Sequence, residues 1–199
     1  VVGKWCRPNY NSVVATFCYN IARNLPIKID DPDYQLNLVY IDDFIDVILQ
    51  IISGEGSFGS YCEVSPSYPI TVGNLATQLQ AFKDSRSTFI TERVGKGLLR
   101  ILYATYISYL PLKDFVYNIE KHSDNRGLFA EVLKTKDSGQ FSFFTAHPGI
   151  TRGGHYHHSK TEKFLVIKGE AEFQFRNIMT NESHQVNTSA ENLQIVETI

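Results

Sequence analysis

The chain has 199 residues, is 43% hydrophobic and carries a formal charge of -2, which allows one large domain or two modest ones in an ordinary soluble globular protein. No basic patch argues for nucleic acid and no acidic tail argues for disorder. The longest apolar runs, such as Phe164 to Ile167, are far too short to span a bilayer.

The chain opens mid-pattern at Val1, and no signal peptide precedes it. Its cysteines, Cys6, Cys18 and Cys62, are widely spaced with no C-x-x-C pair. They are expected to be small buried hydrophobes in a reducing cytoplasm. From Asn11 to Asn24, the apolar residues Val13, Val14, Phe17, Cys18 and Ile21 form a helical stripe. Leu36 to Tyr40 reads as a strand. Asp42 or Asp43 then caps a helix running to about Ile52 and stopped by Gly54. Tyr61 to Ser65 is a second strand candidate, Thr71 to Phe82 a helix with Thr71 as N-cap, and Leu98 to Tyr109 a further helix. Strand and helix alternate here, the mark of an α/β layer architecture.

From Lys113 onward the pattern changes to short β-rich runs, at 115–120, 127–135, 140–146, 163–169, 171–178 and 192–199. Ala171 to Arg176 alternates cleanly, as a half-buried antiparallel strand does. Closely spaced strands of this kind predict a sandwich or barrel. The expected seam lies at residues 110–113, around Pro111, dividing the chain into 1–112 and 113–199.

Gly149 to Gly169 carries the densest pattern. It reads G-x5-H-x-H-x4-E-x6-G through His155, His157 and Glu162, the complete first motif of the cupin barrels. Residues two apart on a strand share a face, so His155 and His157 point the same way, and Glu162 returns to them from the next strand. Two imidazoles and a carboxylate suit a divalent transition metal such as zinc, iron or nickel. His158 falls on the opposite face, and Lys160 and Lys163 read as solvated.

The first half has no G-x-G-x-x-G after a strand, so nothing there cradles a pyrophosphate. It has no Tyr-x-x-x-Lys either: Tyr19 is followed at that interval by Arg23, which is no substitute for lysine. Its beginning nevertheless resembles a known arrangement. Gly3 to Ser12 (GKWCRPNYNS) before a helix, then a strand leading into VYIDDFIDVI, is similar to the C-terminal third of extended short-chain dehydrogenases/reductases. Lys4, Arg7 and Asn9 would supply donors there for a diphosphate or a sugar.

Joined to HYHHSKTEKFLVIKG, the segment WCRPNYNSVVATFC resembles the bifunctional capsular-polysaccharide UDP-sugar reductases of the CapF or WbjC type. The resemblance implies a partial Rossmann-like reductase lobe followed by an all-β cupin (jelly-roll) barrel that binds zinc. It implies that the cupin epimerises a UDP-4-keto-hexose at C3. The reductase then reduces the C4 ketone with NADPH, in UDP-N-acetyl-L-fucosamine synthesis in the cytoplasm. The family's nucleotide-binding glycines and catalytic Tyr-x-x-x-Lys are expected before Val1, and its second cupin motif just after Ile199. By this reading the chain is cut at both ends, cannot hold NADPH, and lacks one metal-ligating histidine.

A second resemblance points to epimerisation independently. Asp124 to Lys134 (DNRGLFAEVLK), followed by GITRGGHYHH, is similar to the dTDP-sugar 3,5-epimerases. It implies Arg126 and Arg152 at the phosphate or substrate, Glu131 as a lining carboxylate, and His155 as ligand or base. A proton beside a ketone is removed by a base titrating near neutrality, and the enolate needs electrostatic stabilisation. Candidate catalytic residues are therefore His155, Glu131 and Tyr156, with Tyr117 and His158 as further sources of the returning proton. A metal-bound imidazole nitrogen cannot also be the base, and the spacing favours ligation for His155. Two rivals are a metal-dependent cupin oxygenase, for which the same ligand set suits iron, and a non-catalytic sugar-binding or dimerisation module. The 11 Tyr and 13 Phe are compatible with a homodimer interface or with a core.

Overall fold

The computed structural model describes residues 1–55, 59 and 61–199. The first helix, α1 (Val13–Ala22), starts where Ser12 accepts a hydrogen bond from the Ala15 amide at 3.2 Å, satisfying one of the amides that a helix leaves open at its start. There follow β1 (Gln35–Val39), α2 (Ile41–Ser53), β2 (Ser67–Thr71), α3 (Val72–Thr88), β3 (Ile90–Thr91) and α4 (Gly97–Ser108). A 3-10 turn at Leu112–Asp114 leads into the strand-rich remainder. That part comprises β4 (His122–Asp124), β5 (Gly127–Thr135), β6 (Gln140–Phe144), β7 (Glu162–Leu165), β8 (Glu170–Arg176), β9 (Ser183–Ser189) and β10 (Ile195–Thr198).

The chain forms two compact units, Val1–Ile150 and Thr151–Ile199. In the first, the predicted stripe of α1 is the core. Val14, Phe17, Cys18 and Ile21 are buried with Leu75, Leu79 and Phe82 of α3 and with Leu102 and Tyr106 of α4. Burial pushes the Cys18 thiol far up, which leaves it an inert hydrophobe. Cys6 and Cys62 depart from expectation: both are exposed and free. In the second unit, Phe164 of β7 meets Phe173 of β8 with ring centroids 5.4 Å apart.

Several boundaries differ from the sequence reading. The N-cap of α2 is Tyr40, without a side-chain bond, and Asp42 and Asp43 lie in the first turn. There they complement the helix dipole instead of capping it. Thr71 caps α3 as expected, accepting from Asn74 N at 3.2 Å, but that helix runs on to Thr88. Residues 61–65 form no strand; β2 begins at Ser67, where its register against β1 runs from Val39↔Ser67 to Gln35↔Thr71. Residues 115–120 form no strand either. Arg86 donates to the Asp114 carbonyl and lies 5.0 Å from the Tyr117 ring, tying that stretch to α3. The polar strand β9 was not foreseen; it exists because all seven residues of β8 pair with it, from Glu170↔Ser189 to Arg176↔Ser183.

The described residues form no doubly wound parallel sheet. β1 and β2 pair antiparallel, and parallel pairing is confined to β3–β5 and to the Val2↔Tyr40 bridge. Alternating strands and helices suggest parallel crossovers, but the connection after α2 brings β2 back reversed. The β-rich part is likewise no closed barrel. Among the described residues β7 pairs with β10, β8 with β9, and β5 with β3, β4 and β6, whereas closure requires each strand to be bonded along both edges. None of the described helices is long and apolar enough to cross a membrane.

The hairpin that carries Arg126 depends on one glycine. Gly127 has φ +140°, and a Cβ there would stand 2.3 Å from the Thr145 carbonyl oxygen of the neighbouring chain segment. Gly127→Ala is expected to lose roughly 1–3 kcal/mol of stability, read as a lower urea midpoint. Leu79→Ala, at a fully buried site, is expected to lose about 2–5 kcal/mol, read from the helical circular-dichroism signal during urea titration.

Candidate metal centre

The histidine segment forms no strand: residues 151–157 are irregular and a bend follows at His158 and Ser159. The expected alternation is seen in the ring contacts all the same. His155 and His157 are edge-to-face neighbours with ring centroids 4.9 Å apart, and Tyr156 and His158 form a second pair at 5.3 Å. Glu162 opens β7, where Thr198 of β10 is its register partner. Motif residues Gly149 and Gly169 both take positive φ, 79° and 80°.

Ligand atoms of His155, His157 and Glu162 all lie within 4.8 Å of one another. His157 Nε2 stands 3.7 Å from Glu162 Oε1. That nitrogen is buried and hydrogen-bonds to nothing among the described residues. A buried ring nitrogen without a hydrogen-bond partner is costly unless something else takes its lone pair or proton. Zinc ligands at about 2.0–2.2 Å from a tetrahedral centre stand roughly 3.4 Å apart, near the 3.7 Å of the His157–Glu162 pair and somewhat inside the 4.8 Å limit of the whole set. The donor set therefore fits a zinc-like cation.

Glu162 has a further neighbour that the sequence reading left as solvated. Lys160 Nζ lies 2.7 Å from Glu162 Oε1. The Lys160 hydrogen bond is the main reason that the Glu162 carboxyl is held below the usual glutamate range; burial opposes it, and the two imidazoles contribute less. Lys163 points elsewhere, to Glu197 at 3.3 Å.

The other predicted residues stand as follows. Arg126 occupies the turn between β4 and β5. Its Nε and Nη2 both donate to the single oxygen Asp124 Oδ2, at 2.8 and 2.6 Å, a pairing that raises its already high pKa. Glu131 on β5 accepts from Lys134 Nζ at 3.1 Å. Both belong to the Val1–Ile150 unit, whereas Arg152, half-buried, belongs to the same unit as His155, His157 and Glu162. Lys4 and Arg7 are exposed, each over a neighbouring aromatic ring, Trp5 at 5.9 Å and Tyr10 at 5.6 Å. The Asn9 amide donates to Thr16 Oγ1 at 2.9 Å.

That loop is held from behind. Tyr109 donates its hydroxyl to the Cys6 carbonyl, and burial pushes that hydroxyl up to about 12. Arg23 donates to the Tyr109 carbonyl at 2.8 Å and stacks 3.7 Å over Tyr19. The Tyr19/Arg23 pair is thus a structural clamp. The run Gly54–Gly59 spells G-x-G-x-x-G, but Gly54 is the C-cap of α2. A dinucleotide fingerprint needs a strand before it and a helix after it, so these residues do not fit NADPH.

Residues 122–199 match the family model described as the polysaccharide biosynthesis C-terminal domain. Across all 199 residues the chain is 57% identical to a Pseudomonas aeruginosa protein named UDP-2-acetamido-2,6-beta-L-arabino-hexul-4-ose reductase, of which it covers 54%. It is also 32% identical, over 62 residues, to the Bacillus subtilis spore coat polysaccharide biosynthesis protein SpsL; that stretch is 29% of the chain and 41% of SpsL. Among solved structures, CapF with the inhibitor 3-isopropenyl-tropolone superposes with a TM-score of 0.93 at 40% identity, covering 100% of this chain and 57% of that one. The capsular polysaccharide assembling protein CapF of Staphylococcus aureus gives 0.91 at 41% identity, covering 98% and 53%. The chain spans about half the length of these full-length relatives. Over its whole length, then, the chain is a relative of the CapF-type proteins of capsular polysaccharide assembly.

Proposed function

We propose that this chain is part of a nucleotide-sugar enzyme of capsular or O-antigen polysaccharide synthesis, and that its C-terminal region, cupin-like from residues 110–113 onward, epimerises a UDP-4-keto-6-deoxy-hexosamine at C3. The observation that carries this reading is the meeting of His155, His157 and Glu162 within 4.8 Å, with His157 Nε2 buried and lacking a hydrogen bond. These three residues would hold zinc. A divalent cation there supplies Lewis-acid stabilisation of negative charge on a ketone oxygen when the α-proton leaves.

The chain's own residues then divide the work. His155, as a ligand, is unavailable as a base, so proton movement falls to other groups. Tyr156 lies on the alternate face beside His158 and is assigned to proton exchange. Glu131 is assigned as a second acid–base carboxylate, its charge balanced by Lys134. Arg126, stiffened by its pairing with Asp124, and Arg152 are assigned to the UDP diphosphate, which planar guanidinium groups recognise well. Lys4, Arg7 and Asn9 are assigned to the sugar nucleotide in the reductase-like part. Reduction of the C4 ketone with NADPH, cytoplasmic location and a homodimeric state are proposed for the full-length protein. The 57% identity to a protein named as a hexulose reductase supports the reduction alone.

The test is exchange of the C3 proton of a UDP-4-keto sugar in deuterated solvent, followed by NMR on full-length protein. His157→Ala is expected to abolish stoichiometric zinc and to slow exchange by at least about 100-fold. Exchange that persists unchanged without zinc sinks the metal-dependent reading, and a parent protein that supports no exchange at all favours a binding or dimerisation module. Stoichiometric iron with oxygen consumption would favour an oxygenase. Arg126→Met is expected to raise KM for the UDP-sugar by roughly 10-fold with little change in kcat, the pattern of lost uniform binding.

A further inference from the structure

Lys160 and His157 both face the same oxygen of Glu162. The lysine ammonium is 2.7 Å from Oε1 and the buried imidazole nitrogen is 3.7 Å from it. They approach from different surroundings, since the Lys160 side chain is 57% exposed and that of His157 26%. An ionised carboxylate oxygen has more than one acceptor site. It can therefore take a hydrogen bond from the solvent side and still offer a lone pair toward the imidazoles. Half-exposed pairs of this kind add little to folding stability, so stability alone does not account for the contact. Its specificity points the same way. The next lysine along the segment, Lys163, pairs instead with Glu197, whereas Lys160 reaches the candidate ligand.

We propose that Lys160 is a positioning residue of the metal centre, its ammonium holding the Glu162 carboxylate in the orientation that presents an oxygen to a cation shared with His155 and His157. This rests on the zinc reading of that cluster. A free glutamate side chain loses several rotamers when it ligates, and a carboxylate already fixed by a charge-assisted hydrogen bond loses fewer. Groups that orient metal ligands in this way are commonly worth 10–100-fold in metal affinity.

The experiment measures zinc affinity of the full chain by competition with a chromogenic chelator, together with the visible bands of the cobalt-substituted protein. The parent, His157→Ala, Lys160→Met, Lys160→Gln and Lys160→Arg are compared. Lys160→Met is expected to bind zinc about 10-fold more weakly and to change the cobalt bands, which report ligand number and geometry. Lys160→Arg, keeping charge and donors, is expected to stay within about 3-fold of the parent, with its bands retained. Lys160→Gln serves if the methionine variant folds poorly and is expected to fall between the two. Zinc binding by Lys160→Met as tight as the parent's or tighter overturns the proposal. So does equal loss in the methionine and arginine variants, which would assign the effect to packing. If the parent binds no zinc, or His157→Ala binds it equally well, the cluster reading fails instead, so the two failures are distinguishable.

Discussion

Glu162 stands at the first position of β7, and the antiparallel pairing of β7 with β10 determines where its carboxylate can be. Everything chemical in the second unit is arranged about that carboxylate. The two imidazoles approach it from the segment before the strand, and an ammonium reaches it from two residues upstream. The carboxyl is held ionised below the usual glutamate range. An ionised carboxylate is the form that can ligate a cation.

A different economy governs the first unit. Three helices and a two-stranded sheet bury a compact apolar core, and the polar groups that matter lie on loops fixed from that core. The loop from Lys4 to Asn9 is exposed, yet Tyr109 holds the Cys6 carbonyl from below, and Arg23 holds Tyr109 in turn. Arg126 is fixed in its hairpin turn by Asp124, while Gly127 lets the strand start against the Thr145 carbonyl. Rigid scaffolds commonly display functional groups this way, since loops alone hold position poorly. The D-x-R-G run is thus intelligible without reference to any relative. Asp places Arg, and Gly allows the turn that carries both.

Much of this was legible from residues alone. Of the stripe Val13, Val14, Phe17, Cys18 and Ile21, all but the half-buried Val13 became core, and Thr71 capped its helix because a hydroxyl before an apolar run has few better uses. His155 and His157 came from the two-residue period and Glu162 from the motif's return on the next strand. What failed to show was longer in range. Strand direction for β1 and β2 depends on how the chain returns after α2, and no local pattern encodes that. The strand β9 (SHQVNTS) has too little apolar content to announce itself and is defined by its partner β8. At 115–120, aromatic and β-branched residues suggested a strand, but an arginine from α3 took that stretch instead.

Lys160 is the instructive miss, because the rule that would have found it was already in use. Side chains two apart on a strand share a face; that placed His155 with His157, and the same interval separates Lys160 from Glu162, which are in contact. The residue was read as solvated because lysines usually are, and at 57% exposure it largely is. Exposure and function are not alternatives for such a side chain. A long flexible stem can leave its charge at the solvent edge and still fix a buried neighbour. In a site built from two imidazoles and one carboxylate, a group that orients the carboxylate has leverage out of proportion to its burial. The consequence for reading similar segments is physical: a cation at i-2 from a ligating carboxylate belongs to the site's electrostatics before it belongs to the surface.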